Sequence, residues 1–524
     1  MITLGTLFFE NALRNPDGPA LSVGAEDFSY GELAGIVERV ANWLTARFAG
    51  PAPRVGILAA RSWEAYAGVL ATSWAGATYV PLHPDWPEER ILRILKLAAL
   101  DALIVDADGR KALSQNIVPF CPQHILAPAS DSSLSLNFAQ YEVLISGKDS
   151  LPASAGHARP ADPDAERLAY IMFTSGTTGT PKGVMISVGN VASFFSAMQA
   201  HSKFNSSDRV SQTFELTFDL SVWSMLAAWG SGASLHVVPA GQLMGPSRFI
   251  REKKLTVWLS VPSTIACMRS LKMLTPAAFP SLTYSGFCGE PLPVASAEAW
   301  HSAAPNSVIA NVYGPTEATI ACLAQMYSHP PAITKERGIV AIGRPFCGMK
   351  AAIVNSSNAF APAGEIGELA VSGPQIAKGY LNDAPRTLAR FPSIDGEIWY
   401  LTGDLAYQDS AGIFHHLGRT DHQVKVLGNR VELEEVEAHL RDVCGSESVA
   451  ALAWPIEAGC ASGIVAFVAG TSKPAARIRE GMQLRVPKYM VPSQVRILDD
   501  LPLNTSGKTD RNALAALLSG GAAA

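Results

Sequence analysis

The chain has 524 residues, of which 48% are hydrophobic and 17% charged. This length is too great for a single hydrophobic core, so we expect two or more domains, and the composition excludes a largely disordered protein. The net charge of −5 combines 41 basic with 46 acidic residues and no clustered basic run. It therefore excludes the extended basic face that nucleic acids or anionic lipids require.

Cysteine usage and the N-terminal segment predict a soluble, cytoplasmic protein. The seven cysteines are scattered without a CxxC pair, which is typical of free thiols in a reducing compartment. The first apolar run lacks a basic leader and is followed closely by Glu10 and Arg14, which favours an amphipathic helix over a signal peptide. No apolar stretch of the sequence approaches the roughly 20 residues that cross a bilayer, so we expect no membrane partner.

The first part of the chain alternates helical and strand patterns. Residues 62–77 predict a helix, 78–82 a strand, 87–99 a helix and 102–107 a strand. This βαβ rhythm indicates a parallel, doubly wound sheet. Apolar strands followed by Gly and Pro turns return in three later segments, 257–271, 282–293 and 306–320.

Two changes of pattern divide the rest of the chain. From about Phe346, strands punctuated by glycine predict a small antiparallel β unit. After Gly418, alternating strands and helices predict a compact α+β domain. We therefore expect an α/β fold with two domains. The large N-terminal domain, 1–417, would hold doubly wound sheets and the small β unit, and residues 418–524 would form a small, mobile α+β domain.

Residues 170–187 run from an apolar strand into a tract of Thr, Ser and Gly that ends in Pro181-Lys182-Gly183. Backbone N–H groups that point into one concavity bind anions, and such a loop needs glycine for unusual dihedral angles and hydroxyls as further donors. The tract differs from the GxxxxGK[ST] loop because glycine follows the lysine. It predicts a phosphate-binding loop; the alternative is a flexible turn after a strand.

The tract resembles the phosphate-loop signature of the adenylate-forming superfamily, which includes acyl-CoA synthetases, luciferases and the adenylation domains of nonribosomal peptide synthesis. Four further strings resemble that superfamily's motifs in the same order, at residues 311–317, 400–404, 418–425 and 504–508. The resemblance covers roughly Leu7 to Leu517. It implies an enzyme that forms acyl adenylates with ATP and Mg²⁺.

The resemblance also implies roles for single residues. Tyr313 would stack on adenine, Glu317 would hold Mg²⁺, and Asp404 would accept hydrogen bonds from the ribose hydroxyls. Arg419 would contact the ribose or the phosphates, and Lys508 would bridge the substrate carboxylate and the α-phosphate. Lys182, Glu317, Arg419 and Lys508 are the implied catalytic residues. The implied ATP-binding set is Thr174, Ser175, Gly176, Thr177, Thr178, Gly179, Lys182, Gly289, Glu290, Asn311, Tyr313, Gly314, Thr316, Asp404, Arg419 and Lys508.

Asp219 distinguishes between the subfamilies. It matches the aspartate that pairs with the α-ammonium group of the substrate in amino-acid adenylation domains, and a carboxylate in an apolar pocket is costly unless it meets a cation. The alternative is a helix N-cap ahead of residues 221–229. The resemblance implies a substrate pocket formed by Asp219, Leu220, Trp223, Ser260, Gly286, Cys288, Val312, Ile320 and Ala321.

This pocket implies a small, neutral amino acid, because Trp223 reduces its volume and no second charge lies within it. Residues 287–293 are also similar to D-alanine carrier-protein ligases. Alanine is therefore the favoured substrate, followed by serine, glycine and proline. A pocket discriminates a single methylene by only about 1 to 3 kcal/mol, so the order among these neighbours and the handedness stay open.

The second half-reaction implied by the resemblance transfers the acyl group to a thiol. Asp421 would be the hinge on which the small domain turns between the two half-reactions. The chain contains no carrier module, so the acceptor would be the phosphopantetheine thiol of a separate carrier protein. Two alternatives remain. The first is an acyl-CoA or aryl-acid synthetase, which Asp219 makes less favoured. The second is a non-catalytic nucleotide-binding relative, which the intact motif set makes less favoured.

Overall fold

The computed structural model describes residues 2–48, 50–130, 143–154, 158–176, 180–421, 423–426, 428–457, 460–503 and 509–519. The helices, numbered in chain order, are α1 (Leu4–Arg14), α2 (Tyr30–Thr45), α3 (Trp63–Trp74), α4 (Glu88–Ala98), α5 (Ala107–Ala112), α6 (Val188–His201), α7 (Leu220–Trp229), α8 (Ser247–Glu252), α9 (Pro262–Ser270), α10 (Val294–Ala303), α11 (Ala384–Arg390), α12 (Leu433–Cys444), α13 (Ala475–Gln483) and α14 (Arg511–Ser519). No helix in these ranges is long and apolar enough to cross a membrane.

The strands are numbered in the same way. They are β1 (Pro19–Val23), β2 (Glu26–Ser29), β3 (Arg54–Leu58), β4 (Thr78–Leu82), β5 (Ala102–Val105), β6 (His124–Leu126), β7 (Leu144–Ser146), β8 (Leu168–Thr174), β9 (Lys182–Ser187), β10 (Arg209–Gln212), β11 (Ser234–Val237), β12 (Val257–Ser260), β13 (Tyr284–Phe287), β14 (Val308–Tyr313), β15 (Leu323–Met326), β16 (Ile333–Thr334), β17 (Ile339–Val340), β18 (Arg344–Pro345), β19 (Lys350–Val354), β20 (Gly367–Ser372), β21 (Ser393–Ile394), β22 (Glu397–Gln408), β23 (Phe414–Arg419), β24 (Gln423–Val426), β25 (Asn429–Glu432), β26 (Val449–Ala453), β27 (Ile456–Glu457), β28 (Cys460–Ala461), β29 (Ile464–Ala469) and β30 (Gln494–Leu498).

The chain divides into two compact units. The first comprises Met1–Pro84, Ile94–Phe173 and Gly183–Thr420, and the second comprises Asp85–Arg93, Thr174–Lys182 and Asp421–Ala524. The second unit thus includes the predicted phosphate loop together with the C-terminal segment. Its C-terminal segment begins at Asp421, close to the expected boundary at residue 418.

Two mostly parallel sheets form the body of the first unit. In one, the strands lie in the order β18-β15-β14-β13-β12-β10-β11-β1-β2, and in the other the order is β7-β6-β5-β3-β4-β8-β9. Strands β14 to β1 of the first sheet are parallel, and antiparallel strands flank them on both edges. The predicted elements α3, β4, α4 and β5 are all present, so the doubly wound α/β prediction is confirmed.

The segment after Phe346 forms the predicted antiparallel β unit. Strand β20 pairs with β19 and with the long strand β22, which also pairs with β21 and β23. The second unit contains a sheet of β26, β29 and β30, with helices α12 and α13 packed on its apolar face. This alternation of helix and strand confirms the small α+β domain.

Candidate functional site

The predicted substrate residues lie at one edge of the first sheet. Strands β10, β12, β13 and β14 are neighbours and run parallel. The segments that follow the carboxyl ends of β10, β13 and β14 carry Asp219, Cys288 and Glu317, respectively. Ligands of open parallel sheets bind outside the carboxyl ends of the strands, so this edge is the expected place for a site.

Asp219 lies at the N-terminus of α7 but does not cap it. Its side chain makes no capping hydrogen bond, and only 6% of the residue is exposed. Burial and the charge of Asp219 raise the pKa of Tyr170 well above its usual value, and the same two causes raise that of Tyr79. Both phenols therefore remain neutral, and the N-cap alternative does not explain why an acid is buried here.

Trp223 forms one wall of the predicted pocket. It lies one turn after Asp219 on α7, and its indole packs on the backbone of β13. A Cβ atom at Gly286 would come within 2.8 Å of Trp223 Cζ2 and 2.9 Å of Leu259 Cδ2. Behind the indole is a cavity of about 10 Å³, room for about one water molecule, which Val312 also lines. Leu220 and Cys288 belong to the same buried cluster.

Ser260 does not join the other pocket residues. Its Oγ accepts a hydrogen bond of 3.0 Å from Trp258 Nε1, and Trp258 belongs to the separate core formed with Trp300. Successive side chains of a strand point to opposite faces, and Leu259, which packs with Trp223, lies between Ser260 and Trp258. Leu259, and not Ser260, therefore faces Trp223 in the structure.

Ile320 and Ala321 lie in a strained loop after β14. Thr319 and Ile320 have φ angles of 55° and 70°, which β-branched residues rarely adopt. The side chain of Gln375 holds the loop by donating to the carbonyl oxygen of Ala321 over 2.6 Å. A Cβ atom at Gly314 would lie within 3.0 Å of the backbone N and C atoms of Ala321, so this close approach requires glycine.

Tyr313, Asp404 and Arg419 form a second cluster, all within the first unit. The Tyr313 hydroxyl donates to Asp404 Oδ2, and Arg419 NH1 donates to Asp404 Oδ1 over 2.8 Å. Burial disfavours ionisation of Asp404, but Arg419, His416 and Tyr313 outweigh it and hold the pKa of this carboxyl well below its usual range. Asp404 is therefore a fixed, ionised acceptor beside an aromatic ring, as the ribose assignment requires.

Glu317 is fully buried in a 3₁₀ turn directly after β14. Its Oε1 accepts a hydrogen bond of 2.8 Å from the Tyr380 hydroxyl, and its carbonyl oxygen accepts one from Ala377 N. No group of three or more metal-binding side chains is found in the described ranges. One fixed carboxylate that leaves the other positions to phosphate and water is a donor set that fits Mg²⁺, so Glu317 would hold the ion beside the phosphates.

Other predicted nucleotide residues support the backbone of this edge. The Asn311 side-chain amide donates to the carbonyl oxygens of Val340 and Ala341. Glu290 Oε2 accepts from Ser263 N at the start of α9 over 2.8 Å. Gly289 precedes Glu290 with φ 89°, and Thr316 begins the 3₁₀ turn that contains Glu317.

The predicted phosphate loop contacts acceptors of its own unit. Gly176 N donates to Glu435 Oε2 over 3.1 Å, Ser175 Oγ donates to the carbonyl oxygen of Arg430, and Lys182 Nζ lies 3.7 Å from Glu432 Oε1. Two of these acceptors are carboxylates, so the loop already holds anions through donors that phosphate would use.

Four of the remaining predicted residues cannot be placed, and two can. Thr177, Thr178, Gly179 and Lys508 lie outside the described residues. Thr174 is the last residue of β8, and Asp421 accepts a hydrogen bond from Gln423 N over 3.2 Å. This bond defines an Asx turn at the first residue of the C-terminal segment.

Some residues of the site were not found from the sequence. Tyr380 and Gln375 hold Glu317 and the Ala321 loop, and His416 contacts Asp404. Of these residues, only His416 has a recognisable sequence feature, because it is one of two adjacent histidines just before the hinge motif. Strand alternation predicts that the two histidines point to opposite faces of the strand. Local patterns do not predict that Asp404 is the partner of His416.

Comparisons with known proteins agree with this geometry. The AMP-binding enzyme family matches residues 8–381, more than half of the chain. Tyrocidine synthase 3 of Brevibacillus parabrevis is 33% identical over 98% of this chain, and delta-poly-L-ornithine synthetase of Acinetobacter baumannii is 31% identical over the same share. The chain spans only 8% and 36% of the lengths of these two relatives.

A solved structure covers nearly the whole chain. The Vibrio cholerae adenylation domain AlmE, in complex with glycyl-adenosine-5′-phosphate, is 34% identical and superposes with a TM-score of 0.90 over 99% of this chain and 98% of its own. The chain therefore belongs to the family of AMP-binding enzymes, within the adenylate-forming superfamily of AMP-forming ligases.

Proposed function

We propose that the chain activates a small neutral amino acid as an aminoacyl adenylate and then transfers it to the phosphopantetheine thiol of a separate carrier protein. The observation that carries this proposal is Asp219, a buried carboxylate beside the sheet edge that caps no helix. An acid in an apolar site is retained when a cation meets it, and the α-ammonium group of an amino acid is such a cation.

The bulk of Trp223 supports a small substrate, and the likeness to a relative that holds glycyl-AMP favours glycine, with alanine second. The indole of Trp223 lies so close to Gly286 that a methyl group on this glycine would have to displace the indole. The relative that holds glycyl-AMP shares the fold over nearly its whole length. This order revises the one expected from the sequence, in which alanine came first.

The first half-reaction joins two anions, so cations and fixed donors are needed. A carboxylate oxygen of the amino acid attacks the α-phosphorus, the bond from that phosphorus to the bridging oxygen breaks, and pyrophosphate leaves. Asp219 would orient the ammonium end, while Tyr313 and Asp404 would hold adenine and ribose. Mg²⁺ held by Glu317 would supply charge at the phosphates. The donors of Ser175, Gly176 and Lys182 suit the β- and γ-phosphates.

The second half-reaction forms a thioester. The thiol sulfur attacks the carbonyl carbon of the adenylate, the bond to the phosphate oxygen breaks, and AMP leaves while the thiol proton passes to solvent. The resemblance of residues 418–425 to the hinge motif supports this step. The cysteines found free in the described ranges support a reducing, cytoplasmic setting.

Amino-acid-dependent exchange of pyrophosphate into ATP tests the proposal. A panel of D- and L-amino acids, fatty acids and aryl acids should give the highest rate with glycine, followed by alanine. A highest rate with a fatty or aryl acid would instead identify an acyl-CoA or aryl-acid synthetase. No exchange with any acid would indicate a non-catalytic nucleotide-binding relative.

Lys508→Ala tests the catalytic role that the family resemblance implies for Lys508. Loss of a cation that bridges the carboxylate and the α-phosphate should slow adenylation by at least about 10²-fold, which is about 2.7 kcal/mol. Exchange at nearly the unmodified rate would refute the role of Lys508. Lys488→Ala, at an exposed lysine of the same unit, is the matched control.

A further inference from the structure

A histidine outside the predicted set lies against the ribose-binding candidate Asp404. His416 Nε2 is 3.5 Å from Asp404 Oδ1. On the other side of the imidazole, Arg337 NH1 is 2.6 Å from His416 Nδ1. The three side chains therefore form a row, Arg337, His416, Asp404, within the first unit.

The partners of the imidazole determine its tautomer. The Arg337 guanidinium is always protonated and can only donate, so Nδ1 of His416 must carry the lone pair that accepts. The ring proton then lies on Nε2, which faces the Asp404 carboxylate. A doubly protonated imidazole would place two donors against each other at Nδ1. In this tautomer His416 faces Asp404 with its Nε2 proton.

This donor completes the set of contacts that orients the carboxylate. Tyr313 binds Oδ2, whereas Arg419 and His416 both bind Oδ1. Asp404 N also donates to Thr402 Oγ1 over 3.0 Å, which fixes the backbone. A carboxylate held on both oxygens cannot rotate freely, so its remaining lone pairs keep a constant direction.

The surrounding elements hold His416 in turn. It lies on β23 opposite Ala406, where a bulge in the pairing with β22 shifts the register. Arg337 lies in the turn between β16 and β17, and its backbone N donates to the carbonyl oxygen of Thr334. The rings of His416 and Tyr313 are 6.2 Å apart, so the histidine also flanks the predicted adenine platform.

We propose that His416, in the tautomer set by Arg337, is a positioning residue that aims Asp404 at the ribose hydroxyls and so makes the enzyme select ribonucleotides. The inference rests on the proposed function, because it requires that Asp404 binds the ribose of ATP. It adds His416 and Arg337, which no motif identifies, to the nucleotide site. Neither residue touches the reacting atoms.

Selectivity for the sugar is the readout, since a purely structural loss would lower activity with every nucleotide alike. Exchange is measured with ATP, 2′-deoxy-ATP and 3′-deoxy-ATP, and kcat/KM for ATP is divided by that for each analogue. His416→Phe keeps a planar ring but removes both nitrogens. The ratio should fall by about tenfold, because a misdirected acceptor gains less from the hydroxyls.

Two amide variants separate the roles of the nitrogens. The amide nitrogen of His416→Gln reaches the place of Nε2 and still donates to Asp404, so the ratio should stay within about threefold of its original value. The amide oxygen of His416→Asn takes the place of Nδ1 and accepts from Arg337 only, so this variant should resemble His416→Phe. Arg337→Met removes the tautomer restraint without altering the imidazole, and should also lower the ratio.

His415→Phe is the matched control. The neighbouring His415 stacks on Tyr407 at 4.7 Å and bonds Thr334 and Asp409 instead of Asp404. Its replacement should leave the ratio unchanged, even if the melting temperature falls. If the unmodified enzyme selects ATP but His416→Phe, His416→Asn and Arg337→Met keep its ratio, the inference fails and the proposed function stands. If the unmodified enzyme uses the deoxy analogues equally well, the ribose role of Asp404 fails too.

Discussion

At the scale of single residues, the proposed function depends most on Asp219 and Trp223. Asp219 is a buried acid without a capping role, and Trp223 narrows the space beside Gly286. In the proposed function, the first would require a substrate that carries a cation, and the second would limit its side chain. Asp219 directly precedes α7 and Trp223 lies one turn further on, so the start of one short helix would set charge and size together.

Asp219→Asn should abolish recognition of the ammonium group while keeping the shape of the pocket. We expect kcat/KM for glycine in pyrophosphate exchange to fall at least about 10²-fold, about 2.7 kcal/mol, because a buried charge would lose its partner. KM for ATP should change by less than about threefold. The control is Asp208→Asn. Asp208 lies at the N-terminal end of β10, away from the carboxyl end near Asp219, so this change should leave glycine recognition intact. Unchanged kinetics in Asp219→Asn would contradict the anchor role.

Trp223→Leu should enlarge the pocket. The ratio of kcat/KM for valine to that for glycine should rise about 10- to 100-fold, since each added methylene is discriminated by about 1 to 3 kcal/mol. Trp258→Leu is the control, because Trp258 is equally buried on the opposite face of the sheet. It should lower stability without changing the ratio. A ratio that rises equally in both variants would show loosening of the core instead of a specificity wall.

At the scale of elements, the site depends on loops that leave neighbouring parallel strands at the same edge. The loop after β14 carries Glu317, Ile320 and Ala321, and it is held by Gln375 and by close packing on Gly314. Its positive φ angles at β-branched residues store strain that the surrounding contacts must offset. The loop is therefore sensitive to changes in its supports.

Gly314→Ala tests that sensitivity. The new methyl group would press on the backbone of Ala321, which has no flexible side-chain end to yield, so the loop must shift. Exchange activity should fall at least about tenfold, since displacements of about 1 Å in a site are costly. Gly35→Ala, in α2 with no atom within 4 Å of the new Cβ, should be neutral or slightly stabilising. Equal activity of the two variants would mean that the loop tolerates the shift.

The sequence predicted local elements better than it predicted side-chain direction. The βαβ rhythm gave α3, β4, α4 and β5 because helix and strand periods are local properties. Asp404 and Tyr313 were found from motifs, but their direct contact joins strands 91 residues apart. Ser260 points to the face opposite Trp223, because a shift of one residue along a strand moves a side chain to the other face. His416 was missed because its partners, Arg337 and Asp404, come from other strands and turns.

At the scale of the whole molecule, the chain combines a large unit built on doubly wound sheets with a second unit that contains the C-terminal segment. The motif residues are spread over both units: Asp219, Glu317 and Asp404 belong to the first, and Gly176 and Lys182 to the second. Asp421 is the first residue of the C-terminal segment and forms an Asx turn there. The two half-reactions of the proposed function need different surroundings, so we propose that this residue is the hinge between them.

Asp421→Pro should separate the half-reactions. Proline fixes φ at about −65° and removes a backbone donor, so rotation about this residue would be restricted. We expect pyrophosphate exchange to stay within about threefold, while loading of a phosphopantetheinylated carrier, followed by its mass, falls at least about tenfold. The control is Asp395→Ala, in the turn before β22, which should affect neither step. Equal loss of both steps would argue against a hinge.

The most direct test uses an analogue of the adenylate that carries both the amino acid and the adenosine. Glycyl-sulfamoyladenosine, a stable analogue, and its N-acetyl derivative, which lacks the ammonium charge, are compared by calorimetric titration. The account predicts that acetylation weakens binding at least about 10²-fold, and that Asp219→Asn removes most of that difference. Equal affinity for the two compounds, or failure of both to bind, would contradict an adenylation site in which Asp219 holds the amino acid.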